Sequence, residues 1–431
     1  MRKYKMDTLD EKQLNAFQSM LDGKNVFITG PGGSGKSYVI HLFIEYFRKY
    51  IEDEVNRIYV TSSTGLSALL IQGITIHQFS GLGSASKSIE YYVDRIKKNK
   101  NIRNRWLYTK TLIIDEVSMI SDEFFEKLDI LGQKIRRNKN PFGGLQIILS
   151  GDFLQLPPVK SDGFCFESIS WDLSVEEIYY FDVIHRQKDK NLQKILNKIR
   201  VGETDKEVQK ILKPCLKRKL KNQYGIIPTL LFSKKEMVQK YNEEKQSLLI
   251  EKGNHKIDYN SSFHFSKEVS DESKDFLKDL MNNQYNISDQ LMLTVGSQVM
   301  LNSNNVQEGL ANGSRGVVVD FSKNGFPIVH FLNDMLIEIK YKDYKIEDAS
   351  SIVTKKQVPL IHAWAITIHK AQGMTLEYLE TDIGESIFEY GQAYVVLSRI
   401  KNLEGLSLRD IDYSKIKAHP KILQFYKSLL N

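Results

Sequence analysis

The fold of this chain is decided at residues 30–37, where the sequence reads Gly30-Pro31-Gly32-Gly33-Ser34-Gly35-Lys36-Ser37. An apolar run over 25–29, predicted to be a strand, precedes this segment, and a predicted amphipathic helix over 38–47 follows it. That context is the one a phosphate-binding loop requires, because glycines let backbone amides face phosphate oxygens at a helix start. The alternative is a glycine-rich turn with no ligand.

An acidic pair after the apolar run Leu112-Ile113-Ile114 supplies the second half of such a site. Lys36 is expected to neutralise the β and γ phosphates of ATP, and the hydroxyl of Ser37 to ligate Mg²⁺. Asp115 would hold the metal ion, and Glu116 would orient and deprotonate the attacking water. Alone, such a pair could be the solvated end of a strand. Downstream of a phosphate loop it indicates nucleotide hydrolysis.

Three further polar residues are candidates for the same site. Gln155 follows a third apolar strand, predicted over 146–150, and a glutamine there can sense the γ phosphate. Arg186 and Arg399 could complete the charge clamp, because a guanidinium group can bind two phosphate oxygens at once. Alternatively, Gln155 is an ordinary polar loop residue, and Arg186 and Arg399 are surface residues without a role in the site.

The apolar pattern divides the chain into three regions. The first 185 residues alternate strands and helices, which predicts a parallel sheet flanked by helices, interrupted by a basic insertion over 84–110. Residues 293–356 contain short strands parted by Asn/Gly turns, which predicts a small inserted β-barrel. We therefore expect a first α/β lobe over 1–185, a second over 186–292 and 357–431, and the barrel between the two parts of the second.

Composition limits the class of protein. The net charge of +7 suits a polyanionic partner without proving one. The two cysteines, Cys165 and Cys215, exclude a disulfide framework and a cysteine-based zinc site, and favour a reducing compartment. No apolar run of membrane-spanning length occurs, and the polar start Met1–Asp10 is unlike a signal peptide. We expect a soluble intracellular protein that is monomeric in solution; nucleus, mitochondrion, bacterial cytoplasm and viral replication site all remain open.

Taken together, the motifs resemble the PIF-type helicases of superfamily 1B, from Leu9 to about Tyr426. The most specific part runs from Lys127 through Pro141-Phe142-Gly143-Gly144 to Gly151-Asp152-Phe153. Similar motifs lie at Thr61–Leu66, Gly73–Phe79, Thr367–Gly373 and Ala393–Arg399. The resemblance implies two RecA-like parallel-sheet motor lobes, a small wedge insertion in the first and an SH3-like β-barrel in the second.

The resemblance also implies an activity: an ATP-dependent DNA helicase that hydrolyses ATP and moves 5′ to 3′ on single-stranded DNA. It would unwind duplex or structured DNA in replication, repair or recombination, using ATP and Mg²⁺. Its expected partners would be single-stranded and forked DNA, and replication or repair proteins could bind it as well. Arg186 and Arg399 would both meet the γ phosphate from the second lobe. The chain departs from the family pattern at Pro31 and His185, but neither residue replaces a charge-bearing group.

By the same resemblance, individual residues receive expected roles. Gln13 stands where the family reads adenine. The expected ATP-binding residues are Gln13, Gly30, Gly32, Gly33, Ser34, Gly35, Lys36 and Ser37. The expected DNA-binding residues are Thr64, His77, Phe79, Thr367, His369 and Lys370. The rings would stack on bases and the hydroxyls would reach phosphates. Phe79 could equally belong to the core.

A basic cluster in the insertion is open to two interpretations. Its members are Arg95, Lys97, Lys98, Lys100, Arg103 and Arg105. They form either a strand-separating wedge, by resemblance, or an ordinary solvated helix face. Two rival functions also stay open: an ATP-gated nucleic-acid clamp that does not travel, and an RNA-directed helicase. Motifs in both lobes favour a motor over a clamp, and the signature segment argues against RNA.

Overall fold

The computed structural model describes residues 6–53, 56–83, 85–158, 161–220, 224–266, 271–285, 287–303, 310, 312–347 and 352–430. The helices are α1 (Glu11–Leu21), α2 (Lys36–Tyr50), α3 (Gly65–Leu70), α4 (Ile76–Ser80), α5 (Ile89–Lys98), α6 (Lys100–Tyr108), α7 (Asp122–Arg136), α8 (Ile169–Ser174), α9 (Lys190–Arg200), α10 (Lys206–Leu212), α11 (Lys235–Glu251), α12 (Asp271–Tyr285), α13 (Ile368–Ala371), α14 (Gln392–Leu397) and α15 (Pro420–Leu430). Short 3-10 turns lie at Met6–Thr8, Val117–Met119, Pro141–Gly143, Cys165–Glu167, Lys213–Cys215, Leu403–Gly405 and Tyr413–Lys415.

The strands, in chain order, are β1 (Val26–Thr29), β2 (Arg57–Ser62), β3 (Ile74–Thr75), β4 (Thr109–Asp115), β5 (Gln146–Gly151), β6 (Glu177–Tyr180), β7 (Thr229–Phe232), β8 (Lys256–Asn260), β9 (Ser262–Phe265), β10 (Gln290–Thr294), β11 (Gln298–Leu301), β12 (Arg315–Phe321), β13 (Pro327–Phe331), β14 (Leu336–Glu338), β15 (Lys342–Glu347), β16 (Ile352–Gln357), β17 (Leu360–His362), β18 (Ala365–Thr367), β19 (Leu379–Ile383) and β20 (Leu406–Ile411). None of the helices in the described ranges combines the length and apolarity needed to span a bilayer.

The chain forms two compact units. The first takes in Met1–Glu203, Glu389–Val395 and Lys417–Asn431, and the second takes in Thr204–Phe388 and Val396–Ile416. Our sequence-based boundary at residue 186 therefore lies within the first unit, and the C-terminal helix α15 belongs to the first unit as well. The reason is packing, because Ile422 and Tyr426 of α15 are buried in a core of the first unit.

The first unit is built on a parallel sheet with the strand order β3-β2-β4-β5-β1-β6. Two hydrophobic cores lie against it, one that includes Phe27 and Trp171 and one that includes Ile28 and Phe43. Strands β1, β4 and β5 are almost wholly buried, as parallel strands covered on both faces must be. Their continuous apolar runs made them predictable, and each lies within three residues of its predicted start.

The predicted insertion over 84–110 consists of the two helices α5 and α6, which lead into β4. Ser88 caps α5 by accepting a hydrogen bond from Tyr91 N, and Asn99 caps α6 by accepting from Asn101 N and Ile102 N. The apolar faces of both helices, which include Ile96 and Trp106, join the core of the first unit.

The second unit contains a parallel sheet of order β18-β7-β19-β20 and three antiparallel sheets. The antiparallel sheets have the orders β14-β13-β12-β11-β17, β15-β16-β9 and β10-β8. They enclose two small cores, one around Val318 and Phe331 and one around Leu277 and Val353. The antiparallel region therefore takes in β8, β9 and α12, which lie before the insertion predicted over 293–356.

Candidate nucleotide site and nucleic-acid surfaces

The phosphate loop connects β1 to α2, in the order the sequence predicted. Gly30 has a φ of +142°, and a Cβ there would fall 2.1 Å from the carbonyl oxygen of Phe181. Gly33 has a φ of +88°, and a Cβ there would fall 2.5 Å from the Cβ of Arg186. Only glycine therefore fits both positions, and the tight turn directs the following backbone into the start of α2.

Lys36 is the first residue of α2, and its amine lies over the loop. Its Nζ donates to the carbonyl oxygens of Gly30 at 2.7 Å and Pro31 at 3.0 Å. Burial lowers the pKa of Lys36, while the carboxylates of Asp152, Glu116 and Asp115 act in the opposite direction. The sheet therefore gathers three acidic groups around one amine, which is the charge arrangement that a nucleotide with a divalent cation requires.

Asp115 and Glu116 stand at the carboxyl end of β4, two strands from the loop in the sheet order. Burial raises the pKa of Asp115, and the neighbouring Ser150 side chain and Glu116 backbone act in the opposite direction. Glu116 is partly exposed and has a left-handed backbone, with a φ of +53°, which turns the chain sharply after the strand. The pair thus separates into a buried carboxylate and an accessible one.

A metal ion would find suitable donors here. Ser37 is exposed at the start of α2, and Asp115 lies close enough to the neighbouring Lys36 to influence the pKa of its amine. A hydroxyl and a carboxylate are hard oxygen ligands of the kind Mg²⁺ takes alongside phosphate oxygens and water. No group of three or more potential His, Cys, Asp or Glu ligands occurs in the described residues.

Gln155 and Arg186 both belong to the first unit. Gln155 follows β5, the strand that pairs with β1, and Arg186 contacts the loop. Gln155 is 4% exposed, and its Oε1 has no hydrogen-bond partner among the described residues. The backbone amides of His185 and Arg186 donate to the carbonyl oxygen of Gly33 at 2.8 and 3.3 Å. The resemblance implied that Arg186 approaches from the second lobe; these bonds instead hold it on the unit that carries the loop.

Arg186 is partly exposed, but part of its guanidinium group is buried. Its Nη1 is buried and has no hydrogen-bond partner in the described parts of the chain. Burial lowers the pKa of Arg186, while Tyr394 and Glu116 act to raise it. A partly exposed guanidinium group with one buried, unsatisfied donor is well placed to bind an anion, because leaving that donor unpaired is costly.

Gln13 lies on the other side of the loop, on α1. Its Nε2 donates to the carbonyl oxygen of Ser34 at 3.3 Å and lies 3.4 Å from Nε2 of His185. It also forms a reciprocal cap with Asp10, whose backbone amide donates to Oε1 of Gln13. Gln13 is thus fixed against the phosphate loop, where its expected contact with adenine stays a prediction.

A buried ionic network below the loop was not predicted. Arg200 donates to both carboxylate oxygens of Asp152, at 3.0 and 2.7 Å, and both side chains are buried. The hydroxyl of Tyr426 lies 3.2 Å from Asp152 and 2.6 Å from the hydroxyl of Thr29 at the end of β1. Burial alone would raise the pKa of Asp152, but Arg200 and Lys36 hold it below its usual range. The motif around Gly151 contained Asp152, but nothing local pointed to partners 48 and 274 residues away.

The predicted DNA residues of the first unit have different surroundings. Thr64 is partly exposed and caps the start of α3, where its Oγ1 accepts from Ser67 N. His77 is partly exposed and stacks 4.5 Å from Phe124, and burial lowers its pKa. Phe79, however, has no exposed surface and packs between Tyr59 and Trp106. The structure therefore corrects our expectation for Phe79, which is a core residue because α4 turns it inward.

The predicted DNA residues of the second unit gather at one helix start. Thr367 ends β18 and caps α13 by accepting a hydrogen bond from Lys370 N at 3.2 Å. Thr367 and Lys370 line a cavity of about 680 Å³, together with Lys235, Asn242 and His362. Burial and the neighbouring charge of Lys235 lower the pKa of Lys370 to about 8. His369 is partly exposed on the same helix turn.

Arg399 lies in the second unit, and the residue is 1% exposed. Its Nη2 donates to the Oγ of Ser398 at 2.6 Å, and its carbonyl oxygen accepts from Leu376 N at 2.8 Å. Its expected contact with the γ phosphate stays a prediction.

The basic cluster of the insertion is divided by burial. Lys97, Lys98, Lys100 and Arg103 are exposed, and Arg95 is partly exposed beside them. Arg105 is 8% exposed and donates to the carbonyl oxygen of Gln78 at 2.8 Å. Arg105 is therefore a structural residue that ties α6 to α4, and the remaining cations form the solvent-facing surface.

Comparisons with known proteins place these features in one family. The family model described as PIF1-like helicase matches residues 8–210. The chain is 37% identical to the ATP-dependent DNA helicase PIF1 of Xenopus laevis over 429 residues, which cover 98% of this chain and 64% of that protein. The chain thus spans slightly less than two thirds of the length of that relative.

Solved structures agree with the relatives. A crystal structure of Pif1 helicase from Candida albicans matches with a TM-score of 0.83 and 33% identity, over 98% of this chain and 99% of that one. Pif1 from a Bacteroides species, solved in complex with ADP-AlF4, matches with a TM-score of 0.76 and 25% identity, over 98% and 97% of the two chains. Bacteroides Pif1 has also been solved bound to single-stranded DNA, with a TM-score of 0.67, 25% identity, and 98% and 96% covered.

Proposed function

The chain belongs to the PIF1-like helicase family, and from this premise we propose that it is an ATP-dependent DNA helicase. In the proposed reaction it hydrolyses ATP, moves 5′ to 3′ on single-stranded DNA and unwinds duplex or structured DNA. Single-stranded and forked DNA are the proposed partners. The Bacteroides relative solved with single-stranded DNA supports the choice of DNA.

One observation carries the proposal: a complete set of groups for phosphoryl transfer surrounds one phosphate loop within the first unit. Lys36 lies on the loop, and Arg186 contacts it. Asp115 and Glu116 follow the apolar run of β4, and Gln155 follows the neighbouring strand β5. A structural turn would not need a partly buried amine close to three carboxylates, nor two buried polar atoms with no partner in the described residues. Such groups are costly to bury unless a ligand uses them.

Each residue then has a role that follows from its surroundings. Lys36 would exchange its carbonyl partners for the β and γ phosphates, since an ammonium binds an anion more strongly than a neutral carbonyl. Glu116, the accessible carboxylate, would take the proton of the attacking water. Arg186 and Gln155 would bind the terminal phosphate oxygens as charge develops there. Asp115 and Ser37 would hold Mg²⁺, which when bound neutralises phosphate charge.

The rate of ATP hydrolysis with single-stranded DNA, single-stranded RNA or no nucleic acid tests the proposal. We expect a low basal rate, strong stimulation by DNA and weaker stimulation by RNA, and loss of turnover when EDTA removes Mg²⁺. Equal stimulation by RNA would favour the RNA-directed helicase. Absence of turnover under every condition would refute the assignment.

An ATP-gated clamp remains the second candidate function, because it needs the same ATP site. A motor requires residues in both units that respond to the nucleotide or bind DNA. The second unit contains two such candidates, Arg399 and the Thr367–Lys370 surface. A clamp would hydrolyse ATP on DNA without separating strands. Unwinding of a forked duplex is thus the measurement that distinguishes the two.

A further inference from the structure

A tyrosine to which the sequence motifs assign no role contacts the phosphate loop directly. Tyr394 is 2% exposed, and its hydroxyl accepts a hydrogen bond from the backbone amide of Gly32 at 2.8 Å. Gly32 is the third residue of the loop, and amides of such loops are the groups that bind phosphate oxygens. A tyrosine hydroxyl both accepts and donates hydrogen bonds. It can therefore accept from the Gly32 amide and also donate to an anion bound at the loop.

The surroundings of Tyr394 indicate which phosphate it would meet. The backbone amide of Arg186 donates to the carbonyl oxygen of Gly33 on the same loop, and Tyr394 and Glu116 both lie within electrostatic range of Arg186, whose pKa burial lowers. In the proposed function Glu116 orients the water that attacks the terminal phosphate, and Arg186 binds that phosphate. Tyr394 therefore lies on the terminal-phosphate side of the site.

The segment that carries Tyr394 is fixed to the first unit at a second point. We name Glu389–Val395 the sensor segment, because this stretch belongs to the first unit and the chain passes to the second unit at Val396. Gly391 packs on Gln155, so closely that a Cβ at Gly391 would fall 2.0 Å from the Gln155 carbonyl oxygen. Gly32 of the loop and the backbone of Gln155 thus both contact a segment that leads along the chain to Arg399.

We propose that Tyr394 is a further nucleotide-contacting residue, whose hydroxyl binds the terminal phosphate of ATP. Because Tyr394 is part of the sensor segment, the presence of that phosphate would be communicated to the chain leading to Arg399. The proposal rests on the proposed ATPase function and adds a residue that distinguishes ATP from ADP.

The variant Tyr394→Phe tests this inference, because it removes only the hydroxyl. We expect the affinity for a non-hydrolysable ATP analogue to fall about tenfold, the effect of losing one hydrogen bond to a charged group. The affinity for ADP should stay within about twofold of the wild type, since ADP lacks the terminal phosphate. Both affinities come from one variant, so a general loss of stability cancels from their ratio.

The matched control is Tyr426→Phe, which removes another buried hydroxyl from the same unit. That hydroxyl bonds to Thr29 at the end of β1, so its loss should lower the melting temperature without changing the ATP-to-ADP affinity ratio. An unchanged ratio in Tyr394→Phe, or an equal loss for both nucleotides, would overturn the role of Tyr394. Failure of the wild type to bind either nucleotide would instead overturn the proposed function.

A measurement on the wild-type protein keeps the inference testable if Tyr394→Phe does not fold. Amide hydrogen exchange over the sensor segment should slow with the ATP analogue and should change little with ADP. The same exchange with both nucleotides would contradict the inference.

Discussion

Lys36 is the residue on which the proposed hydrolysis depends most directly, because it carries the amine nearest the expected phosphates. Lys36→Ala should abolish ATP turnover and leave the fold intact, since the amine donates to carbonyl oxygens of the loop itself. Glu116→Gln should bind ATP but hydrolyse it slowly, because Asp115 remains in place. Steady-state ATPase and equilibrium nucleotide binding measure both effects.

A matched control for this prediction lies on the same helix. Lys49 is exposed in the last turn of α2, so Lys49→Ala should leave turnover unchanged. Near wild-type hydrolysis by folded Lys36→Ala would remove the site assignment. Loss of binding in Glu116→Gln as severe as its loss of turnover would give Glu116 a different role.

Lys370 gives DNA binding an expected pH dependence. Burial and Lys235 lower the pKa of Lys370 to about 8, so its ammonium is present below that pH and lost above it. If Lys370 binds a DNA phosphate, affinity for single-stranded DNA should fall about tenfold between about pH 7 and about pH 9. Lys370→Arg should abolish this dependence, because arginine stays charged. Binding titrations at several pH values test it.

The pH dependence of fold stability distinguishes this loss of DNA affinity from unfolding, because the two are expected to change in opposite directions. The pKa of Lys370 in the folded protein is about 8, below its ordinary value of 10.5, so burial of the ammonium destabilises the fold at lower pH. Stability should therefore rise as the pH increases from about 8 towards 10.5, while DNA affinity falls. A parallel fall of both would show that unfolding causes the loss of binding.

At the residue scale, predictability depended on how local the signal is. The positions of Lys36 and Asp115 could be predicted because short motifs place Lys36 at a helix start and Asp115 at a strand end. Phe79 was misassigned because a motif match cannot tell which way a ring on a five-residue helix points. The contacts of Tyr394 and Arg200 could not be predicted, since their partners lie 362 and 48 residues away and are brought close only by folding.

At the scale of elements, Arg200 joins α9 to the end of β5 and to α15. Arg200→Met should destabilise the first unit by about 3–5 kcal/mol, because the buried carboxylate of Asp152 loses its charged partner. Urea unfolding followed by tryptophan fluorescence measures this, since Trp106 and Trp171 both lie in the first unit. The exposed Arg48→Met on α2 should have almost no effect. Equal stability of both variants would contradict the ionic link.

The exposed face of α5 and α6 carries the next prediction. Replacing Lys97, Lys98 and Lys100 by glutamine should reduce unwinding of forked DNA and leave DNA-stimulated ATPase nearly normal, because the ATP site is formed elsewhere in the unit. Every phosphate contact that the substitutions remove should reduce the salt dependence of fork binding by about one unit of slope. Unwinding assays and salt titrations measure the two effects.

The control replaces an equal number of exposed lysines elsewhere in the first unit, namely Lys24, Lys49 and Lys139. Unchanged unwinding in the α5–α6 variant would make the cluster an ordinary solvated face. A collapse of the ATPase as well would assign the cluster to the single-strand path. Arg105 is excluded from the set because its buried bond to Gln78 makes it structural.

The strands differ in how well they could be predicted from the sequence. β4 and β5 are buried along nearly their whole length and read as continuous apolar runs. β8 and β9 were missed, because they alternate exposed polar residues with partly buried ones in a region that otherwise looks helical. β8 pairs with β10 and β9 with β16, and both partners are distant in the sequence. Local sequence patterns cannot predict such long-range pairing.

At the scale of the whole molecule, the proposed function requires directed movement. Unwinding should need a 5′ single-stranded tail and proceed 5′ to 3′, an expectation that rests on family membership, since no residue spacing encodes direction. Duplexes of equal length and sequence with a 5′ tail, a 3′ tail or blunt ends provide the test. A preference for the 3′ tail would contradict 5′-to-3′ movement, which is the mechanism inferred from the family.

The same substrates distinguish a motor from a clamp. A motor displaces the strand only while ATP is hydrolysed, so Glu116→Gln, which should still bind ATP, should fail to unwind. A clamp that melts the fork by binding would open it equally with the non-hydrolysable analogue. Strand separation that depends on hydrolysis and grows with the length of the 5′ tail would exclude the clamp, because only translocation links tail length to delivery of the protein to the fork.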